Sequence, residues 1–115
     1  MLLSKKAIVA INQNLGEKGV VVNEGSLNYA ITLARKSNNW LKSLAILTRA
    51  ILIDHVFEDG NKRTTAATIM TWLEMHNIHC NKDKINQMVI KMLKENITDI
   101  NKITEMIKNA TIQTD

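Results

Sequence analysis

The stretch that most constrains this fold is residues 40–54, where the chain is apolar on almost every side of a helix. The apolar positions there are Leu41, Leu44, Ala45, Ile46, Leu47, Ala50, Ile51, Leu52 and Ile53. A soluble helix with so little polar surface is covered by neighbouring elements on all sides. The sequence therefore predicts a central, buried helix, with the rest of the chain forming the layers around it.

Helical periodicity continues on both sides of this stretch, in a chain without proline. Ser4 is placed to cap a first helix that runs to about residue 18, and a second helix is predicted over residues 24–36. A fourth helix is predicted over residues 62–76, and two amphipathic helices follow it. The residues expected to face inward are Ile8, Ile11, Leu15, Leu27, Ala30, Ile31, Ala34, Ala66, Ile69, Met70, Leu73, Ile85, Met88, Val89, Met92, Ile100, Ile103, Met106, Ile107 and Ala110. We expect an all-α bundle of six helices.

Length and composition restrict the class of protein. A chain of 115 residues, 45% of them hydrophobic, has room for one core and is predicted to be a single domain over residues 1–115. No apolar run approaches the roughly 20 residues that cross a bilayer, and the first residues lack a secretory pattern. The single cysteine, Cys80, forms no internal disulfide. These features predict a cytoplasmic protein without a membrane partner.

The net charge of +4 fits nucleotides, nucleic acid or an acidic protein equally. The lysines of the last third recur at spacings typical of the solvated sides of helices, which favours that interpretation over a nucleic-acid surface. The aromatic content of 3% also argues against single-strand binding, which uses stacking platforms. We therefore expect no specific nucleic-acid partner.

Most of the functional information lies in residues 55–64, between the central helix and the next one. Their sequence is His-Val-Phe-Glu-Asp-Gly-Asn-Lys-Arg-Thr. A turn that leads into a helix leaves unpaired N–H groups at the helix start, where the dipole favours an anion. Gly60 allows an anion to approach the backbone closely, and Asn61 adds a side-chain donor. The pattern predicts an anion site.

Four charged or titratable side chains surround this predicted anion site. Lys62 and Arg63 are cations at a helix start, where they oppose the dipole unless an anion is bound. Asp59 is a carboxylate of the kind that anchors Mg²⁺ beside phosphates, and His55 can accept a proton near neutral pH. Each feature alone is typical of an ordinary turn, but the combination within ten residues indicates phosphoryl or nucleotidyl transfer.

The segment resembles the motif of the Fic/Doc family, His-x-Phe-x-(Asp/Glu)-Gly-Asn-x-Arg, on the helix–loop–helix where that family carries it. Lysine before the arginine, followed by threonine, is most similar to the Doc (death-on-curing) branch, the small toxins of bacterial toxin–antitoxin pairs. The resemblance is strong over residues 40–78 and weaker over residues 7–31. It implies a compact six-helix Fic/Doc-type bundle with the active-site loop between the central buried helix and the next.

The resemblance also implies roles for individual residues. His55 is implied to be the general base for a target hydroxyl, and Phe57 to anchor the loop in the core. Asp59 is implied to hold Mg²⁺ on the phosphates of ATP or another nucleoside triphosphate. Gly60 and Asn61 are implied to form the anion nest, with Lys62 and Arg63 as cations that bind phosphate.

Two positions bear on which group is transferred. Many adenylylating relatives have glycine where Lys62 stands and a second arginine where Ala66 stands. Their absence favours a Doc-like kinase, and the resemblance implies a target in translation. Doc itself, however, has alanine where Gly60 stands. An AMP transferase and a catalytically silent nucleotide-binding module stay open as alternatives.

Regulation is implied to come from a separate partner. Self-inhibited members of the family carry a Ser/Thr-x-x-x-Glu-Gly/Asn helix, and this sequence has no match to it. A separate antitoxin or inhibitory protein is therefore expected.

Three other groups of residues give weaker indications of function. Residues 20–22, all valine, are either an edge strand that aligns a target peptide or a buried connector. His76, His79 and Cys80 lack the spacing of a zinc site. Trp40 and Trp72 lie on predicted helices and are expected to pack in the core or at its rim. The six methionines are expected to fill gaps in the core.

Overall fold

The computed structural model describes residues 3–111, which form six α-helices joined by short loops. The helices are α1 (Lys5–Asn14), α2 (Glu24–Lys36), α3 (Trp40–Leu52), α4 (Asn61–Met75), α5 (Lys82–Glu95) and α6 (Ile100–Asn109). Within the described residues the only β-type pairings are two isolated bridges, Val21 with Phe57 and Cys80 with Thr111. The predicted all-α class and the number of helices are confirmed.

Helix α3 is the centre of the bundle, as its apolar composition predicts. It packs against α2, α4 and α6, while α1 lies on α4 and α2, and α5 lies on α4 and α6. Nine of its thirteen residues are buried, including the polar Ser43 and Thr48. The α3–α4 loop therefore starts from the C-terminal end of a helix that is covered by three others.

The first helix is shorter than predicted. It begins after Ser4, whose hydroxyl accepts a hydrogen bond from the Ala7 N–H at 3.1 Å, but it ends at Asn14 and not near residue 18. Gly16 and Gly19 follow with φ of +95° and +73°, conformations that interrupt a right-handed helix. Residues 15–23 thus form a connector that returns along the α3–α4 loop.

The inward faces of the other helices follow the predicted periodicity. Helix α2 buries Leu27, Ala30, Ile31 and Ala34, and α5 buries Ile85, Met88, Val89 and Met92. In α6, Ile103 and Ile107 are buried, while Ile100 and Met106 are partly buried against the core. Among residues 3–111, no helix combines the length and hydropathy that crossing a membrane requires.

Phe57 lies in the core although it belongs to a loop. Its side chain is completely buried and joins the same apolar cluster as α3 and α4. The prediction that this aromatic ring anchors the loop is confirmed. Because the ring is buried, its removal leaves a cavity that the neighbouring helices can close only in part.

We expect Phe57→Ala to lower the free energy of unfolding by about 3–5 kcal/mol. Urea denaturation followed by circular dichroism measures the change. Tyr29→Ala is the matched control, because Tyr29 is 66% exposed on α2 and its loss should change stability very little. A similar, small effect for both variants would contradict the anchoring role of Phe57.

Candidate active site

The α3–α4 loop, residues 53–60, begins with a change of backbone direction at His55. The N–H groups of Ile53 and Asp54 both donate to the Arg49 carbonyl, and the Val56 N–H donates back to the Ile51 carbonyl at 3.4 Å. His55 has a φ of +54°, a left-handed conformation that is uncommon for residues other than glycine. This conformation leaves the His55 side chain exposed at the end of the central helix.

Asn61 holds the backbone of Phe57 with both ends of its side-chain amide. The Phe57 N–H donates to Asn61 Oδ1 at 2.9 Å, and Asn61 Nδ2 donates to the Phe57 carbonyl at 2.8 Å. Both bonds are buried. Since buried backbone groups need partners, this pair satisfies the two polar groups that burial of Phe57 removes from water.

The side-chain amide of Asn61 is buried and engaged with Phe57 at both ends. The bond to the Phe57 carbonyl uses one of the two N–H groups of Nδ2, so a side-chain donor from Asn61 to an anion stays a prediction. Asn61 also has its backbone N–H at the start of α4.

A second element, residues 20–23, pairs with the loop along one edge. The Val22 N–H donates to the Val56 carbonyl at 2.8 Å, and the Glu58 N–H donates to the Val20 carbonyl at 2.9 Å. Asn23 Nδ2 adds a bond to the Asp54 carbonyl at 2.8 Å. Val20 and Val22 are 43% and 56% exposed, so this segment is not the buried connector considered above.

Asn12 joins α1 to both sides of the site. It is 1% exposed, and its Nδ2 donates to the Asp59 carbonyl and to Thr64 Oγ1, each at 3.0 Å. Its Oδ1 accepts from the Gly19 N–H at 2.8 Å. The buried amide of Asn12 thus joins the connector, the loop and α4.

The N-terminus of α4 differs from those of the other five helices. Each of the others has a side chain that accepts a hydrogen bond from the first turn, namely Ser4, Asn23, Asn39, Asn81 or Asp99. The cap of α4 is Gly60, with a φ of +79° and no side chain to offer. Within residues 3–111, no acceptor pairs with the N–H groups of Asn61, Lys62 and Arg63. These groups and the helix dipole can bind an anion.

A pocket of about 440 Å³ opens onto this helix start. Its lining residues are Leu52, His55, Glu58, Asp59, Gly60, Asn61, Lys62, Arg63 and Leu93. The volume lies within the range of small-molecule sites. All six predicted site residues, from His55 to Arg63, therefore border one pocket.

The two cations of the pocket differ in their contacts with the rest of the chain. Arg63 Nη2 donates to the Leu15 carbonyl at the end of α1, at 2.8 Å, which leaves other guanidinium donors for a ligand. Lys62 is exposed, and the described part of the chain offers neither cation a carboxylate within ion-pair distance. The first turn of α4 contains no acidic residue. The site therefore combines free donors with two cations that make no ion pair within the described residues.

The carboxylate of Glu17 lies beside Gly60. A Cβ added at residue 60 would stand 2.7 Å from Glu17 Cγ and 2.9 Å from Glu17 Oε2. Together with its positive φ, this close approach explains why glycine is suited to position 60. Glu17 thus brings negative charge to the edge of the site, which no pattern in the sequence predicts.

Among residues 3–111, no group of three or more His, Cys, Asp or Glu side chains converges as a metal site does. Asp59 and Glu58 do border the pocket with exposed carboxylates. One or two carboxylates fit a Mg²⁺ ion that takes its remaining ligands from phosphate oxygens and water.

The remaining candidate residues lie elsewhere. The His76 ring stacks on Trp40 with centroids 4.0 Å apart, and its Nδ1 lies 3.0 Å from the Trp72 carbonyl. Burial, and to a lesser extent the charge of Glu74, raises the pKa of the Cys80 thiol and so disfavours the thiolate that metals bind. Trp72 packs in the core as predicted.

Sequence reasoning missed Asn12, Asn23, Glu17 and Leu93. Asn12 stands four residues after the buried Ile8, and a polar residue on an apolar helical face signals a buried hydrogen-bonding role. Asn23 precedes α2 as an N-cap, which is a local signal. Glu17 and Leu93 are brought to the site by tertiary packing, and no local pattern identifies them.

Comparison with models of known protein families, with curated proteins and with solved structures finds no match to this chain.

We expect Asn61→Ala to lower the free energy of unfolding by about 2–4 kcal/mol, because it leaves the N–H and the carbonyl of Phe57 buried without partners. Asn14→Ala, at the exposed end of α1, is the control and should change stability by less than about 0.5 kcal/mol. Thermal unfolding of both variants checks this, and equal stability of the two would contradict the role of Asn61.

Proposed function

We propose that this chain is a Fic/Doc-type phosphotransferase that moves the γ-phosphate of ATP or another nucleoside triphosphate to a hydroxyl of a target protein. The observation that carries the proposal is the convergence of His55, Asp59, Lys62 and Arg63 on one pocket at the uncapped start of α4. A base, a carboxylate, two cations and free N–H groups are the parts that phosphoryl transfer uses.

The chemistry follows from what each group can do. His55 takes the proton of the target hydroxyl, and the oxygen then bonds to the γ-phosphorus. The bond between that phosphorus and the β–γ bridging oxygen breaks, and the nucleoside diphosphate leaves. The N–H groups at the start of α4, with Arg63 and Lys62, stabilise the negative charge on the phosphate oxygens. His55 is suited to its part because its left-handed backbone presents an exposed ring beside the phosphate site.

Asp59, with Glu58 beside it, is the residue that would hold Mg²⁺. When bound, the ion neutralises part of the phosphate charge and helps to align the transferring group. Asp59 is kept in place through its own carbonyl, which accepts from the buried Asn12 amide. The carboxylate itself remains free to act as a ligand, since within the described residues it makes no ion pair.

Two features of α4 favour phosphate transfer over AMP transfer. Lys62 places a long cation at the mouth of the pocket where adenylylating relatives have glycine. The position of their second arginine is Ala66, which is 4% exposed and does not line the pocket. A second guanidinium for an α/β-phosphate pair is therefore missing from this site.

The connector supports a protein as the acceptor. Residues 20–22 use the Val20 carbonyl and the Val22 N–H to pair with the loop, whereas the N–H and carbonyl of Val21 have no partner within residues 3–111. An extended target segment can pair with Val21 and so bring a hydroxyl towards His55. We infer that the target belongs to the translation machinery of the cytoplasm, and that a separate antitoxin restrains the activity.

The test is incubation of a cell lysate with the purified protein and ATP labelled at either the α- or the γ-phosphate. We expect γ-label on a protein band and no α-label. Retention of α-label would instead indicate AMP transfer, and the absence of both labels would favour the silent module.

His55→Ala should lower the rate of label transfer by about 10²–10⁴-fold, the usual effect of removing a general base. Nucleotide binding and the unfolding temperature should change little, because the ring is exposed. His79→Ala is the matched control, since His79 is exposed and lies outside the pocket. Equal activity of the two variants would remove His55 from the mechanism.

Asp59→Asn should weaken binding of ATP in the presence of Mg²⁺ and leave binding of ATP in EDTA unchanged or slightly stronger. The substitution removes a metal ligand and a negative charge but keeps the shape and the backbone carbonyl that Asn12 holds. Calorimetry in the two buffers measures both. Asp83→Asn on α5 is the control. Equal losses in both buffers would mean that Asp59 supports the loop and not the ion.

A further inference from the structure

The pocket has an apolar wall that phosphate transfer alone does not explain. Its polar side chains come from residues 55–63, whereas the side chains of Leu52 of α3 and Leu93 of α5 are aliphatic. Leu52 is almost fully buried, but Leu93 is 42% exposed. Of the large hydrophobic residues that are exposed in the described chain, only Leu93 borders this pocket.

Leu93 lies on α5 but is not one of the residues by which that helix packs into the core. Helix α5 buries Ile85, Met88, Val89 and Met92, so the face that carries Leu93 is not required for packing. The following residues end the helix firmly, since the Ile97 N–H donates to the Met92 carbonyl at 2.9 Å and Ile97 is buried. Leu93 is therefore held on a rigid element beside the phosphate site.

We propose that Leu93, backed by Leu52, is the wall on which the nucleobase of the nucleotide lies. This inference rests on the proposed function, because it takes the start of α4 as the phosphate site. A ligand that fills the pocket has to offer an anionic group to the start of α4 and an apolar surface to the two leucines, and a nucleoside phosphate has both in its phosphates and the face of its base. The volume of about 440 Å³ accommodates more than a chain of phosphates.

This wall would strengthen binding of the nucleotide without forming hydrogen bonds to the donors and acceptors at the edge of the base. Leu93 and Leu52 carry no hydrogen-bond donor or acceptor in their side chains, so the contact is with the flat, weakly hydrated face of the ring. It follows that a nucleotide binds more tightly than its phosphate chain alone. The difference in binding free energy between the two ligands should vary with the apolar surface of the side chain at position 93.

The test compares ATP with inorganic tripolyphosphate, both in excess Mg²⁺, by calorimetric titration of the full chain. The variants are Leu93→Ala, Leu93→Met as a replacement of similar size, and Ile90→Ala as a control. Ile90 is 59% exposed, lies one turn away on α5 and does not line the pocket. Both positions are on the surface, and binding of tripolyphosphate reports independently that the phosphate site is intact.

We expect wild type to bind ATP more tightly than tripolyphosphate. Leu93→Ala should weaken ATP by about fivefold to tenfold, the effect of uncovering roughly 50 Å² of apolar surface, and leave tripolyphosphate unchanged. Leu93→Met and Ile90→Ala should bind ATP as wild type does.

Two results overturn the proposal in distinguishable ways. If wild type binds ATP and tripolyphosphate equally and Leu93→Ala binds ATP as tightly as wild type, the phosphate site stands and the base wall is wrong. If wild type binds neither ligand, the phosphate site itself is wrong, and the proposed function fails together with the wall.

Discussion

The hydrogen-bonded pair between the Asn61 side chain and the Phe57 backbone is the interaction on which the rest of the site depends. Phe57 can place its ring in the core only if its N–H and carbonyl find partners away from water, and the Asn61 amide supplies both. Asn61 is also the first residue of α4. The same contact therefore fixes the loop to the core and sets where the next helix begins, with Gly60 as a cap that has no side chain.

Two further amides complete this arrangement. Asn12 holds the Asp59 carbonyl from α1, and Asn23 holds the Asp54 carbonyl from the start of α2. The three asparagines bind main-chain groups of the loop, so the side chains of His55 and Asp59 remain available at the pocket. A preorganised site requires a loop whose backbone is held by hydrogen bonds and whose functional side chains are free to contact a ligand. The cost is an N-terminus of α4 with unpaired donors and two nearby cations, which an anionic ligand would offset.

The lining of the pocket combines groups of different chemistry. The start of α4 contributes N–H groups and cations to the lining, and Leu52 and Leu93 contribute aliphatic side chains. The connector of residues 20–23 lies along the loop and has the backbone groups of Val21 unpaired within the described chain. Under the proposed function, the nucleotide and the protein substrate would contact different elements around one histidine, His55.

Much of this was determined by sequence alone. The apolar residues of α3 specified a central helix, because a helix with so little polar surface has to be covered by its neighbours. The periodicities of α2, α5 and α6 specified which face of each helix lies inward. The grouping of His55, Asp59, Gly60, Lys62 and Arg63 was visible because all lie within ten residues, where chain connectivity keeps them close. Tertiary structure alone decided what lies between distant segments. It brought Asn12, Glu17 and Leu93 to the site. Those contacts join residues tens of positions apart, and they depend on how the helices pack, which no local pattern records.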